Sequence, residues 1–173
     1  GHVAGRALAL HNLGVLQHLL GEYETAASTL EKAVQLSREG GYPRMEAFAL
    51  TSIGDLYRHL DAISEALDAY RWARLIARQI NDRFLIMYLD LAEAGMARLQ
   101  GQYYQAEELL SSARQYAEES DSSYERHLCM MESGCLRLAR RDSTQASFEL
   151  DEAARFFSGE GFRVEAIRTT LYQ

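Results

Sequence analysis

Small residues recur along this chain at one fixed spacing. Ala26 is followed at intervals of 40 residues by Ala66, Ala106 and Ala146, and Ala33 by Ala73, Ala113 and Ala153, with no gap needed anywhere. The same interval carries Gly14 to Gly54, Ala94 and Gly134, Leu30 to Tyr70, Leu110 and Leu150, and Gly21 to Asp61, Gly101 and Arg141. A period of this length means that one supersecondary unit is copied along the chain, each copy burying its apolar face against the next. Within a period the apolar residues fall three and four apart, which is helical spacing. Each period holds two such stretches separated by a break.

The predicted elements follow in pairs. A first helix over about 4–20 has Leu10, Leu13, Leu16 and Leu20 as its inner face, and Gly21 ends it. A second, over about 24–39, turns Ala26, Leu30, Ala33 and Val34 inward and stops at Gly40-Gly41-Tyr42-Pro43. The second pair turns at Asp61-Ala62 without a glycine, and Asn81-Asp82 can cap the helix that opens the third. Asp90 and Glu93 stand in that third pair at places otherwise apolar. Ser120-Asp121-Ser122-Ser123 separates the third pair from the fourth, and 162–173 reads as the lone first helix of a fifth, acting as a cap. The expected organisation is one repeat domain over 1–173, with repeats at about 4–41, 42–80, 81–120 and 121–160. Trp72, Tyr70, Tyr103 and Tyr104 fall on second arms, where aromatic rings are expected to fill interfaces between repeats. One proline in 173 residues, and no alternating β-branched run, leave an all-α fold.

The pattern of a large residue, Leu-Gly, Gly-x-Tyr, Ala, an aromatic or Leu, and Ala is met by Leu10, Leu13-Gly14, Gly21, Tyr23, Ala26, Leu30 and Ala33. The second period repeats it with Leu50, Ile53-Gly54, Tyr57, Ala66, Tyr70 and Ala73. In these residues the chain resembles the tetratricopeptide repeat family, whose usual period is shorter, at about 34 residues. The resemblance implies a right-handed α-solenoid of helix-turn-helix repeats. Extended repeats are similar to those in the sensor regions of MalT and LuxR-type bacterial transcription regulators, and to those of LGN-type adaptors.

No motif of catalysis is present. The sequence has no phosphate loop, no GxGxxG, no HExxH, no GxSxG and no paired CxxC. No enzyme activity and no cofactor or metal are therefore expected. His11 and His18 lie seven apart on one face, but no third ligand stands at a required spacing, so they read as groove-wall residues. His59 and His127 read as solvated or capping, and Cys129 and Cys135 as small core or groove residues that point to different faces. A net charge of −7 argues against nucleic-acid binding by this segment, there is no run long enough for a membrane span, and unpaired cysteines fit a cytoplasmic setting. The chain opens on Gly1-His2 and ends inside a helical pattern, as a piece of a longer protein would, and exposed repeat ends could then mediate self-association.

What the resemblance implies for function is a concave face lined by first arms that holds a protein or peptide. Projected onto this chain, the groove positions are Leu8, His11, Val15 and His18, then Phe48, Thr51, Asp55 and Arg58, then Tyr88, Leu91 and Arg98, then Leu128 and Met131. The lysine and asparagine pair with which some relatives clamp a peptide carboxylate is replaced by His11 and Val15. Arg58 and Arg98 instead suggest a helix or extended peptide with an acidic anchor. The roles this leaves open are the interaction or effector-sensing region of a regulator, a structural adaptor, or a receptor for a small effector near His11, Arg58 and Arg98.

Overall fold

The computed structural model describes residues 2–170, apart from the side chains of Ile167 and Arg168. Among the described residues it is helical throughout: α1 (His2–Leu19), α2 (Tyr23–Glu39), α3 (Pro43–His59), α4 (Ile63–Gln79), α5 (Arg83–Leu99), α6 (Tyr103–Ser120), α7 (Ser123–Ala139), α8 (Ser143–Gly159) and α9 (Arg163–Thr170). These are consecutive packed pairs, consistent with the α-solenoid class. A helix is found within the expected 162–173 stretch, α9, and residues 171–173 lie outside the described ones.

The turns share one geometry. Gly21, Gly41, Asp61, Asn81, Gly101, Asp121, Arg141 and Gly161 all have positive φ, one every 20 residues. After seven of them the next amide donates to the carbonyl five residues back, as Glu22 does to Gln17 and Asp142 to Arg137, while the left-handed residue's own amide reaches three back at Gly21 and Arg141. This pair of hydrogen bonds closes a helix whose last carbonyls would otherwise be orphaned. Asp61 and Asn81 take the left-handed conformation at little cost because short polar side chains tolerate it. Arg141 has no such excuse. As expected, Asp82 caps α5, its Oδ1 accepting from the Leu85 amide at 3.0 Å, and Ser122 caps α7 through the Glu125 amide at 3.3 Å.

The helices group into two compact units, Gly1–Leu89 and Asp90–Gln173. In the first, α1 packs on α2, α2 on α3 and α3 on α4. Its core joins Ala26, Leu30, Ala33 and Val34 of α2 to Ala49, Ile53 and Leu56 of α3 and Ala69 of α4, with Leu10, Val15 and Tyr23 at the margin. The recurring small residues are where helices cross: a Cβ on Gly14 would lie 2.6 Å from Leu30 Cγ, and one on Gly54 would run into the Tyr70 ring. In the second unit α6 packs on α7, α7 on α8 and α8 on α9, and Gly134 meets Leu150 as Gly14 meets Leu30. There Tyr124, Phe156, Phe157 and Phe162 form an aromatic cluster, with the His127 ring stacked 3.8 Å from Phe156. The out-of-pattern Asp90 is buried and accepts from Ser112 Oγ at 2.7 Å, so a hydrogen bond offsets its desolvation.

Two expectations fail. The buried residues of α1 are Ala7 and Gly14, and of the leucine stripe Leu10 packs at the margin of the core while Leu13, Leu16 and Leu20 are 45%, 51% and 65% exposed. Leu13 and Leu16 meet solvent, uncovered by any described helix. Trp72 and Tyr104 do not fill an interface either, being 62% and 80% exposed, whereas Tyr70 is fully buried.

Candidate first-arm binding site

In the first unit the first arms bring four rings into a row. His11 of α1 lies 6.5 Å from Phe48 of α3, Phe48 lies 6.3 Å from Phe84 of α5, and Phe84 lies 6.3 Å from Tyr88 one turn further on. All four are half-buried, partly packed and partly in solvent. Phe48 sits one period before Tyr88, and the chain places it next to Phe84 because α3 and α5 occupy equivalent places in adjacent pairs. Arg44 lies over the Phe48 ring at 5.4 Å, within range of a cation–π contact. Its Nε also donates to Asp82 at 2.6 Å. Arg44 and Asp82 belong to the rim of an open cleft of about 650 Å³ between the α2–α3 and α4–α5 turns, with Tyr42, Pro43, Met45 and Ile80.

Polar bonds hold the row in place. His11 Nε2 and Ser52 Oγ are 2.9 Å apart, and burial lowers the His11 pKa below its ordinary value near 6.5, which favours the neutral ring. The Tyr88 hydroxyl donates to Asp55 Oδ2 at 3.1 Å, and the Tyr70 hydroxyl donates to Oδ1 at 2.7 Å. Burial, and next to it the Asp55 charge, raise the Tyr70 pKa, so this phenol stays a donor. Arg58 completes the set at 3.5 Å from Oδ1.

Those bonds correct part of the projected groove. Asp55 is buried and occupied by three donors, so it offers no free carboxylate to a ligand. Thr51 is buried with its hydroxyl donating to the Ala47 carbonyl at 2.8 Å, the back-bond of a threonine inside a helix. Leu91 and Leu128 are buried core residues. Neither projected arginine is a ready anchor for an acid: Arg58 is held at Asp55, and Arg98 bonds Glu132 at 2.8 Å with its side chain only 10% exposed. Met131 is half-buried, its Sδ 3.3 Å from Thr169 Oγ1. Leu8 is 52% exposed, Val15 packs at the margin of the core, and His18 lies with its Nε2 3.3 Å from His59 Nδ1, the far nitrogen of which is 3.3 Å from the Tyr23 hydroxyl. Phe84 and Arg44 were not among the projected positions. They lie one turn before Tyr88 and Phe48, and the aromatic pair at i and i+4 in Phe84-x-x-x-Tyr88 is the signal that marks Phe84.

The rest of the chemistry is bland. Among the described residues no group of three His, Cys, Asp or Glu could hold a metal ion, and no helix is long and apolar enough to cross a membrane. Cys129 and Cys135 are buried, and burial pushes both thiols up to about 12.

Residues 5–79 match the family model of the tetratricopeptide repeat. The match spans α1 to α4, the two pairs that carry His11 and Phe48, and supports a repeat family of the tetratricopeptide type. Such repeats generally serve as non-catalytic scaffolds for protein–protein interaction. No curated protein matches the chain.

Proposed function

We propose that this chain is a non-catalytic binding module that takes an apolar segment of another protein along the first arms of α1, α3 and α5. The observation that carries the reading is the row His11–Phe48–Phe84–Tyr88, four half-buried rings of three helices. Half-buried rings are rigid, present apolar area at little entropic cost, and suit anchors such as Leu, Met or Phe spaced along a helix or extended strand. Because Arg58 and Arg98 are held by Asp55 and Glu132, the preferred segment is apolar and does not depend on an acidic anchor. The setting we propose is the interaction or effector-sensing region of a regulator of the MalT and LuxR type, a reading supported by the alanine-rich arms and Gly-x-Tyr turn over 92–117; the extended period is shared with LGN-type adaptors and does not separate the two.

Display selection of short random peptides against the chain provides a direct test. Winning peptides should carry two or more large apolar residues, and Phe48→Leu with Phe84→Leu should weaken them about tenfold or more while leaving the melting curve cooperative. Peptides that bind the double variant equally well, or shift only second-arm resonances, would remove the row as the site.

A further inference from the structure

The uncovered face of α1 has a defined counterpart elsewhere in the chain. Ala9, Leu13 and Leu16 correspond, one period on, to Ala49, Ile53 and Leu56, and three periods on to Cys129, Ser133 and Leu136. The second and third sets are buried, at 0%, 9% and 0% and at 2%, 3% and 3% exposure. In each case the cover is the second arm of the preceding pair: α2 lies on α3 in the first unit, and α6 lies on α7 in the second. Leu13 and Leu16 have the same register and the same kind of side chain, yet about half of each is exposed. Leu20 is not part of this face, since its counterpart Leu60 is 47% exposed as well.

The two covered interfaces also show what the register demands of the covering helix. Val34 of α2 shares a buried cluster with Ile53. Its counterpart two periods on is Arg114 of α6, which donates through Nη2 to Ser133 Oγ at 2.6 Å. The residue at the Ile53 position and the residue at the Val34 position therefore match in polarity, aliphatic with aliphatic and polar with polar. Leu13 is aliphatic.

We propose that the Ala9–Leu13–Leu16 face of α1 is a docking surface for the second arm of a further helix pair, one that presents an aliphatic residue at the Val34 register. The occupant is not a second copy of this chain stacking in the ordinary way. The second arms α2 and α8 already lie under α3 and α9, and α6 lies under α7, so a copy would have to open to donate one of them, and α4 carries Arg74 at the Val34 register, where the match with Leu13 asks for an aliphatic residue. Nor is the surface the aromatic row: His11 belongs to the row and bonds Ser52, on the side of α1 turned toward α3.

The chain contains its own probes. A synthetic peptide of the α2 sequence, Tyr23–Glu39, carries Val34, and one of the α6 sequence, Tyr103–Ser120, carries Arg114. Titrated into the isotopically labelled chain, the α2 peptide is expected to shift the amides around Ala9, Leu13 and Leu16, and to bind about tenfold or more tighter than the α6 peptide. Leu16→Glu should abolish those shifts, and the exposure of Leu16 means the variant should still fold. An α2 peptide variant with Val34→Arg should behave as the α6 peptide does. Equal binding of both peptides would overturn the register argument. Shifts confined to the first-arm row, or no shifts at about millimolar peptide, would overturn the surface itself. Concentration-dependent dimerisation that Leu16→Glu removes would replace the second-arm occupant by a second copy.

Discussion

Leu16 and Leu56 provide an internal control on packing, because they are the same residue at the same register of first arms in the same unit. Truncating each to alanine removes the same atoms. At Leu56, fully buried among Leu30, Ala33, Val34, Ala49 and Ile53, the loss comprises the transfer free energy of the deleted carbons and the cavity they leave. About 0.8 kcal/mol per buried methylene-sized group gives about 2.4 kcal/mol, and the cavity term brings large-to-small core changes to about 3 kcal/mol or more. At Leu16 half of the side chain already meets water, no closed cavity can form, and alanine is the slightly better helix former. The expected cost there is about 1 kcal/mol or less. Urea unfolding followed by circular dichroism reads the difference. With a slope of about 1.5 kcal/mol per molar, a gap of about 2 kcal/mol separates the two midpoints by about 1.3 M. Equal costs that do not change with protein concentration would contradict this picture, since they would mean that the leucine stripe of α1 is packed inside the isolated chain. A Leu16→Ala cost that grows with concentration would instead reveal cover by a second molecule.

Other consequences can be measured on the same material. Because the folded His11 pKa is lowered, the unfolded chain binds the extra proton first as pH falls through its ordinary value near 6.5, so stability should drop over that window and level off below the folded pKa. In His11→Gln the drop between neutral and mildly acidic pH should be smaller. With both thiols pushed up to about 12, only about one in ten thousand is ionised at pH 8. A thiol-specific dye should therefore label the native chain very slowly and both cysteines rapidly in denaturant. Arg141 holds a φ of 66°, a conformation that costs a side-chain-bearing residue about 1 kcal/mol. Arg141→Gly should raise the thermal midpoint of the chain, and Gly101→Ala, at a φ of 75°, should lower it.

The period made the helix pairs, their turns and the crossing points at Gly14, Gly54 and Gly134 legible from the sequence, because close approach of two helices admits only small residues and a left-handed turn favours Gly, Asp or Asn. What it could not show is which side of an end helix is covered. Leu13 and Leu16 look like core by spacing, and in α3 and α7 the same positions are core; their exposure in α1 depends on a neighbour, which periodicity within one helix does not encode. The candidate site was legible to the same partial degree. His11, Phe48 and Tyr88 follow from projecting first-arm positions, whereas the loss of Asp55 and Arg98 as ligand groups rests on Tyr70, Tyr88 and Glu132, partners 15, 33 and 34 residues away in sequence. A charged residue on a projected groove invites a functional reading; its hydrogen-bond partners decide whether that charge is available. In this chain Asp55, Arg58 and Arg98 are already engaged, which is why the proposal rests on the rings of the row and not on a charge.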